Sequence, residues 1–466
     1  MKRAWLILTN VCRIGVALTF IVSGFVKAVD PLGTQYKIHD YVAATPLQYM
    51  PADWMLLIFA VALSAAEFTI GVLLLFAINR RTVSRAALAF MVFMTGVSVW
   101  LIAADPVADC GCFGDAIKLT NAQTLFKNIV LLAMTVVLCL RTTDMARLVS
   151  NSNQWIVKNY TVLFIIGVSV WGLYDLPVLD FRPYHEGADI RKGMEMPEDA
   201  AKAEFATTFI MEKGGVRREF SLDDYPDSTW TFIDTRTVRT KEGYTPPIHD
   251  FCVQTRGGED VTDSLLSVAE YGFWLISPHI ETADDADFGD INRVYEYAAN
   301  HGYGFTGITS SGEESVERWS DMTGAEYGFL VADYITLKTM IRSNPGLMLV
   351  KEGVILRKWS HSRLPGEEEL ARCLDVAGTE LASNRTMAGK VLNVTLWFVL
   401  PLLLLTLADR LWAWSEWVRR KQREIKEKSI SHTQNIISST IKKGKENEKE
   451  NCGRKLEDEH DASGRH

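Results

Sequence analysis

WMLLIFAVALSAAEFTIGVLLLFAI, residues 54–78, carries one charged side chain, Glu67, in an otherwise apolar run. A helix rises 1.5 Å per residue and a bilayer's hydrocarbon core is about 30 Å thick, so ~20 such residues cross it. Backbone groups in hydrocarbon find no water, which leaves a helix as the form this stretch can take. Five further stretches read the same way: Ala4–Val29, Ala86–Ala104, Ala122–Leu140, Tyr160–Leu176 and Leu392–Ala408. The first opens Met1-Lys2-Arg3 but shows no small-residue cleavage site before Lys27-Ala28-Val29-Asp30-Pro31, and so reads as a retained span. Asp175 and Pro177 end the fifth early.

Between these spans the chain is ordinary. Its 466 residues include 49 Lys+Arg and 57 Asp+Glu, a formal net charge of −8, with 48% hydrophobic and 23% charged residues. Charge is nearly absent from the spans and concentrated elsewhere, as in a chain that joins a membrane part to a water-exposed part. Seven Cys are too few for a disulfide framework in a chain of this length. The acidic balance and the lack of a basic reading element exclude a nucleic-acid partner.

Orientation follows from Lys and Arg. Lys2 and Arg3 precede the first span, Arg80, Arg81 and Arg85 follow the second, and Arg141, Arg147 and Lys158 follow the fourth. Arg410, Arg419, Arg420, Lys421 and Arg423 follow the sixth. Simple alternation puts all four clusters on one side, which the positive-inside rule makes the cytoplasm. Both termini are then expected inside a bacterial cytoplasmic (inner) membrane, with the loop Asp105–Asn121 and residues 178–390 in the periplasm.

That loop reads Asp105-Pro106-Val107-Ala108-Asp109-Cys110-Gly111-Cys112-Phe113-Gly114-Asp115. Two cysteines one residue apart in an oxidising compartment form a candidate dithiol/disulfide pair, catalytic if it cycles. Gly111 removes the Cβ that would oppose so tight a turn. Half of a zinc site and a pair of inert thiols are the other readings. Zinc wants about four ligands, and only His39 shares this side, so no metal site is expected.

Arg13-Ile14-Gly15, Ser23-Gly24-Phe25-Val26-Lys27, Asp30-Pro31, Glu67 with Gly71, and Cys110-Gly111-Cys112-Phe113-Gly114 together resemble the DoxX/MauE group of four-span membrane proteins over residues 1–142. The cysteine motif is that of the methylamine-utilisation protein MauE. The resemblance implies a role in forming disulfides in a periplasmic partner protein. The four-helix plan is also similar to quinone-linked disulfide oxidases and vitamin K epoxide reductases, which implies a quinone as electron acceptor. Disulfide oxidases often use two loop cysteine pairs; this chain carries one.

Two charges sit inside the spans. Counted inward from Lys27, Arg13 lies about 20 Å deep, and Glu67 counted from Trp54 lies at a similar depth. Each alone is costly in hydrocarbon, so an Arg13–Glu67 contact is expected, the other reading being an Arg13 that snorkels to the interface. Gln123 and Lys127 share a helical face at the start of the fourth span, where they are candidate cofactor-binding residues for a quinone carbonyl or neighbours of the cysteines. As a plain interfacial anchor Lys127 needs neither role. Cys12 and Cys139 read as small packing residues.

Residues 178–247 read as a connector holding a β-hairpin: strand Phe205–Glu212, turn Gly214-Gly215, strand Val216–Phe220. A compact α/β domain follows in 248–375. Gly272–Ser277 is a continuous apolar run, as a central strand buried on both faces requires. Helices Asp287–His301 and Glu314–Thr323, strands Phe305–Thr309 and Phe329–Val331, helix Ile335–Ile341 and a hairpin Leu347–Val350/Val354–Trp359 complete an order similar to the thioredoxin fold. Pro345 falls where that family places a cis proline. The reactive Cys-x-x-Cys is absent, however: its place reads Ser277-Pro278-His279-Ile280-Glu281-Thr282. Cys252 and Cys373 are lone thiols and His279 a lone loop histidine, so the domain is expected to bind a partner or pack on the membrane part.

The expected whole is a mainly α membrane protein: a four-helix DoxX-like bundle (1–142), a cytoplasmic loop and fifth span (143–177), the connector and thioredoxin-like domain, a sixth span (391–409), and a partly disordered mixed-charge tail (410–466). Trp412, Trp414 and Trp417 beside Arg419 and Arg420 mark an aromatic belt. Two function classes remain. One is a membrane redox protein that exchanges thiols and disulfides through Cys110 and Cys112. The other is a non-catalytic scaffold or assembly factor whose thioredoxin-like domain binds a partner.

Overall fold

The computed structural model describes residues 2–45, 50–104, 110–197, 204–213, 216–221, 230–241, 243–375 and 387–462. Among these, six helices are long and apolar enough to cross a membrane, which makes a lipid bilayer the environment of this part. Four of them form a bundle: α1 (Lys2–Val29), α3 (Asp53–Leu75), α4 (Arg80–Ala104) and α5 (Asn121–Leu140), with a short α2 (Pro31–Ala43) between the first two. α6 (Gln154–Tyr174) supplies the fifth span and begins earlier than Tyr160.

Two glycines set the register of the bundle. A Cβ on Gly24 would lie 2.5 Å from the Phe68 backbone nitrogen, and one on Gly71 would lie 2.8 Å from that of Ile21. α1 and α3 therefore touch backbone to backbone, antiparallel, in the manner of small-residue helix contacts in membranes. The core between α1, α3, α4 and α5 is apolar, with Val16, Phe20, Leu74, Met91 and Leu138 buried. Cys12 lies among them as a packing residue.

This register corrects the expected Arg13–Glu67 pair. Gly24 over Ser64 and Phe68, with Gly71 over Ala17 and Ile21, places Glu67 beside Ser23 and Lys27. Arg13 then falls level with the end of α3, where Nη1 donates to the Leu75 carbonyl and to the Ala146 carbonyl, each at 2.9 Å. A cation on a helix's terminal carbonyls also complements its dipole. Lys27 does not mark the outer end of the span, since it is itself buried inside the bundle.

The connector builds more than a hairpin. β1 (Glu204–Lys213) pairs antiparallel with β2 (Val216–Ser221) on one side and β3 (Thr231–Lys241) on the other. The expected turn Gly214-Gly215 lies outside the described residues. Upstream, α7 (Ile190–Met194) packs Ile190 into the α/β domain.

That domain holds a six-stranded sheet in the order β4-β7-β6-β5-β8-β9, from β4 (Val253–Gln254), β5 (Gly272–Ser277), β6 (Gly304–Thr309), β7 (Phe329–Ala332), β8 (Gly346–Lys351) and β9 (Val354–Ser360). β5 runs parallel to β6 and antiparallel to β8, so the central strand divides a β–α–β half from a hairpin half. Period-two alternation explains its continuous apolar run. Trp274 and Ile276 enter a core with α8 (Thr262–Leu266) and α11 (Tyr334–Met340). Phe273 and Leu275 enter a second core with α9 (Phe288–Asn300), α10 (Glu313–Thr323) and α12 (Glu367–Asp375). The strand succession makes this α/β region resemble thioredoxin.

A second compact unit comprises residues 147–157 and 396–466. Within it Asp409 accepts from the Ser150 amide at 3.0 Å and from Asn153 Nδ2 at 2.7 Å. The tail expected to be partly disordered is helical instead: α13 (Met387–Ala462) is one helix. Its Lys-, Glu- and Arg-rich sequence has high helix propensity, aided by i,i+4 pairs such as Glu416–Arg420 at 3.0 Å.

Candidate functional site

α5 starts with a reciprocal cap. Thr120 accepts from the Gln123 amide, and Gln123 Oε1 accepts from the Thr120 amide at 3.1 Å. This fixes the helix's first turn, and with it Thr124, beneath the cysteine loop. Gly111 sits at φ +57, a left-handed conformation that a residue with a Cβ adopts at a cost, and the loop closes as Gly114 N–H donates to the Gly111 carbonyl at 3.0 Å. Cys110 and Cys112 thereby face the same way, their Sγ atoms 2.6 Å apart. Asp105–Asp109 of the motif lie outside the described residues.

Polar partners hold this turn against the bundle. Ser23 Oγ–H donates to the Cys112 carbonyl at 2.6 Å, and the Tyr41 hydroxyl donates to the Cys110 carbonyl. Cys110 Sγ lies 3.3 Å from the Thr124 hydroxyl. The Cys112 thiol and the Thr124 hydroxyl donate to Cys110, and with the Lys127 ammonium they outweigh burial and bring the Cys110 thiol down to about 6. Its partner moves the other way: the bond to Cys110, then burial, push Cys112 well above the usual thiol range. One sulfur is a thiolate near neutral pH and the other keeps its proton, the division that attack and resolution require.

A cavity of about 330 Å³ opens over the pair, with Lys27, Tyr36, Lys37, Cys110, Cys112 and Arg342 among its lining residues. Its far wall is α11 and the stretch just beyond it. Arg342 reaches Asp30 at 3.0 Å, and Lys338 Nζ stands 3.3 Å from the Tyr36 ring centroid. The size falls within the range of small-ligand sites.

Not every expected residue gathers here. Gln123 is exposed and committed to its cap. Lys127 lies 4.5 Å from the Phe113 ring centroid and lines, with Cys112, a smaller cavity inside the bundle. Gln123 and Lys127 thus make separate contacts, one within the helix cap and the other over the Phe113 ring. Glu67 is brought to the cysteines from beneath, through Lys27 and Ser23; Arg13 is not. Among the described residues no three His, Cys, Asp or Glu side chains cluster as metal ligands.

The sequence did not point to α2, Thr124 or Arg342, and it offered Ser23 only as part of the first-span motif. α2 had a signal: Asp30 caps it, accepting from the Gly33 amide at 2.9 Å, with Pro31 in the first turn.

In the α/β domain hydrogen bonds tie the loop after β5 to the turn before β8. Ser277 Oγ–H donates to Asn344 Oδ1 at 2.6 Å, and Asn344 Nδ2 donates to the His279 carbonyl at 2.8 Å. His279 stacks on Tyr334, centroids 4.3 Å apart.

Residues 4–141 match the family model of methylamine utilisation protein MauE. Residues 205–242, which contain most of the three-stranded sheet, match a domain of unknown function, DUF8463. Comparison with curated proteins finds no match. Among solved structures, one from Bacteroides thetaiotaomicron assigned as a protein disulfide isomerase is 20% identical over 27% of this chain and 82% of its own, with a TM-score of 0.21. One from Neisseria meningitidis assigned as a thioredoxin is 16% identical over 30% and 91%, with a TM-score of 0.23. The bacterioferritin comigratory protein of Xanthomonas campestris is 10% identical over 29% and 91%, with a TM-score of 0.20. The chain is thus a multi-pass membrane protein whose residues 4–141 are similar to MauE.

Proposed function

We propose that this protein exchanges thiols and disulfides with a partner protein at the outer face of a bacterial cytoplasmic membrane, using Cys110 to attack and Cys112 to resolve. The observation that carries the reading is the pair of sulfurs 2.6 Å apart at the cavity floor. The opposed acidities of the two thiols support it. The Lys and Arg clusters support an orientation with both termini in the cytoplasm and residues 178–390 in the periplasm. The similarity of residues 4–141 to MauE supports a DoxX/MauE-type bundle as the platform.

The chemistry balances within the two reactants. The Cys110 thiolate attacks one sulfur of a partner disulfide, forming a mixed disulfide and expelling a partner thiolate. Cys112 gives its proton to that thiolate and attacks Cys110 Sγ, forming the Cys110–Cys112 bond and expelling the second partner thiolate. The partner is reduced and the pair oxidised. Run backwards, the same steps move the disulfide into a partner dithiol.

Trapping tests this. Cys112→Ala in native membranes is expected to accumulate a reductant-sensitive adduct on Cys110. Absence of an adduct in both Cys112→Ala and Cys110→Ala would overturn the exchange reading and favour the scaffold, in which the α/β domain docked through Arg342 and Asp30 is the working part.

A further inference from the structure

Ser23, Lys27 and Glu67 form a buried polar line inside the bundle that the exchange steps above leave unused. Lys27 Nζ lies 2.6 Å from Glu67 Oε2 and donates to Ser23 Oγ at 3.0 Å, and Ser23 Oγ–H donates to the Cys112 carbonyl at 2.6 Å. Lys27 is 7% exposed and Glu67 5%. A buried ion pair gains little net stability, because the attraction does no more than offset the loss of hydration. An intramembrane pair of this kind points to function.

We propose that Lys27, held in place by Glu67 and Ser23, is the positioning cation that supports Cys112 as a thiolate in the second half of exchange. This rests on Cys110 and Cys112 being the exchanging pair, and it deepens that reading by assigning the resolving step its own electrostatic partner.

Geometry brings the groups together. A cavity of about 20 Å³ inside the bundle is lined by Ser23, Lys27, Glu67, Cys112, Lys127 and Asn128. In the resting pair, the bond to Cys110 and burial keep the Cys112 proton on, against the pull of Lys127 and Lys27. Once Cys110 is tied into a mixed disulfide it is no longer an anion, and the strongest of those restraints is gone. The Lys127 and Lys27 charges then act on Cys112 with less opposition. Its proton passes to the thiolate expelled in the first step, and its sulfur closes on Cys110. Glu67 holds the Lys27 ammonium in place and offsets part of the cost of burying it, while the ammonium keeps its charge. The other charged groups that face the loop are Lys37, packed on Gly111, and Asp30, Asp115 and Arg342, which line the larger cavity together with Lys27 and Cys112.

The test uses full-length protein carrying Cys110→Ala, which removes the acceptor as a mixed disulfide does, and follows Cys112 alkylation against pH by mass spectrometry. Adding Lys27→Gln with Glu67→Gln leaves no orphan charge and is expected to slow alkylation about tenfold at pH 8, moving the profile up by about one pH unit. Lys27→Arg is expected to stay within about threefold of the parent, since it restores the charge. Unchanged alkylation in the doubly neutral variant, or a Lys27→Arg protein as slow as it, would overturn the proposal. The readout needs no partner protein, so a failure of the trapping experiment and a failure here are separate results.

Discussion

Arg342, just beyond α11, and Asp30, at the head of α2, meet as a fork: Nε lies 3.1 and 3.0 Å from the two carboxylate oxygens and Nη2 3.0 Å from one of them. Two segments more than three hundred residues apart are joined at the rim of the cysteine cavity. Asp30 serves twice, since the same carboxylate caps α2.

Arg342→Met is therefore expected to loosen α11 from the cavity while leaving the cap intact. Removing one member of a buried pair typically costs about 3–5 kcal/mol. In membranes, labelling of Cys110 and Cys112 by a bulky polyethylene-glycol maleimide should rise at least several-fold in this variant, with small reagents much less affected. Equal bulky labelling in the parent and Arg342→Met would show that the contact does not limit access.

Cys110 should react as a thiolate well below the usual thiol range. With its acidity at about 6, alkylation is expected to rise between pH 5 and 7 and then level off. Its folded value lies below the ordinary 9.0, so the thiolate is present above about 6 and lost as pH falls through it. Cys112→Ala removes the largest cause of the shift, and the midpoint should move upward. A wild-type midpoint near 9 would contradict the geometry.

The connector is pinned by a second ion cluster. Asp180 binds Arg182 Nε at 2.7 Å and Lys358 Nζ at 2.9 Å, and Lys358 also donates to the Tyr184 carbonyl at 2.8 Å. The two cations hold the Asp180 carboxyl well below the usual range against its burial, while desolvation brings Lys358 down to about 8. Asp180→Asn leaves two buried cations facing each other and is expected to lower the melting temperature of the α/β domain, at a cost of about 3–5 kcal/mol. The pH signs differ. The Asp180 contribution is present above about 4 and fades as acid approaches its depressed folded value, whereas Lys358 adds stability as pH rises from about 8 toward its ordinary 10.5. Thermal melts of the full-length protein across pH read both.

Much of this was legible from residue pattern. Trp54 to Ile78 dictated a spanning helix because hydrocarbon leaves the backbone no alternative, and Gly272–Ser277 announced a doubly buried strand because both its faces are apolar. The Cys110-Gly111-Cys112 turn was visible as a candidate pair. The partners of that pair were not. Glu67 meets Lys27 and not Arg13 because Gly24 and Gly71 fix an interhelical register that depth counting on single helices does not contain. Arg342 reaches Asp30 through tertiary docking of a domain, which has no local signature. The tail from 410 misled for the opposite reason: charge composition suggested disorder, while the same Lys and Glu residues favour a helix.

The measurement closest to the central claim is the redox state of Cys110 and Cys112 in native membranes equilibrated with graded thiol/disulfide buffers and read by alkylation mass shift. The account predicts that the two thiols disappear together as the buffer becomes oxidising and return together on reduction, and that Cys110→Ala or Cys112→Ala abolishes the paired change. Two thiols that stay free and independently alkylated at every buffer ratio would contradict it.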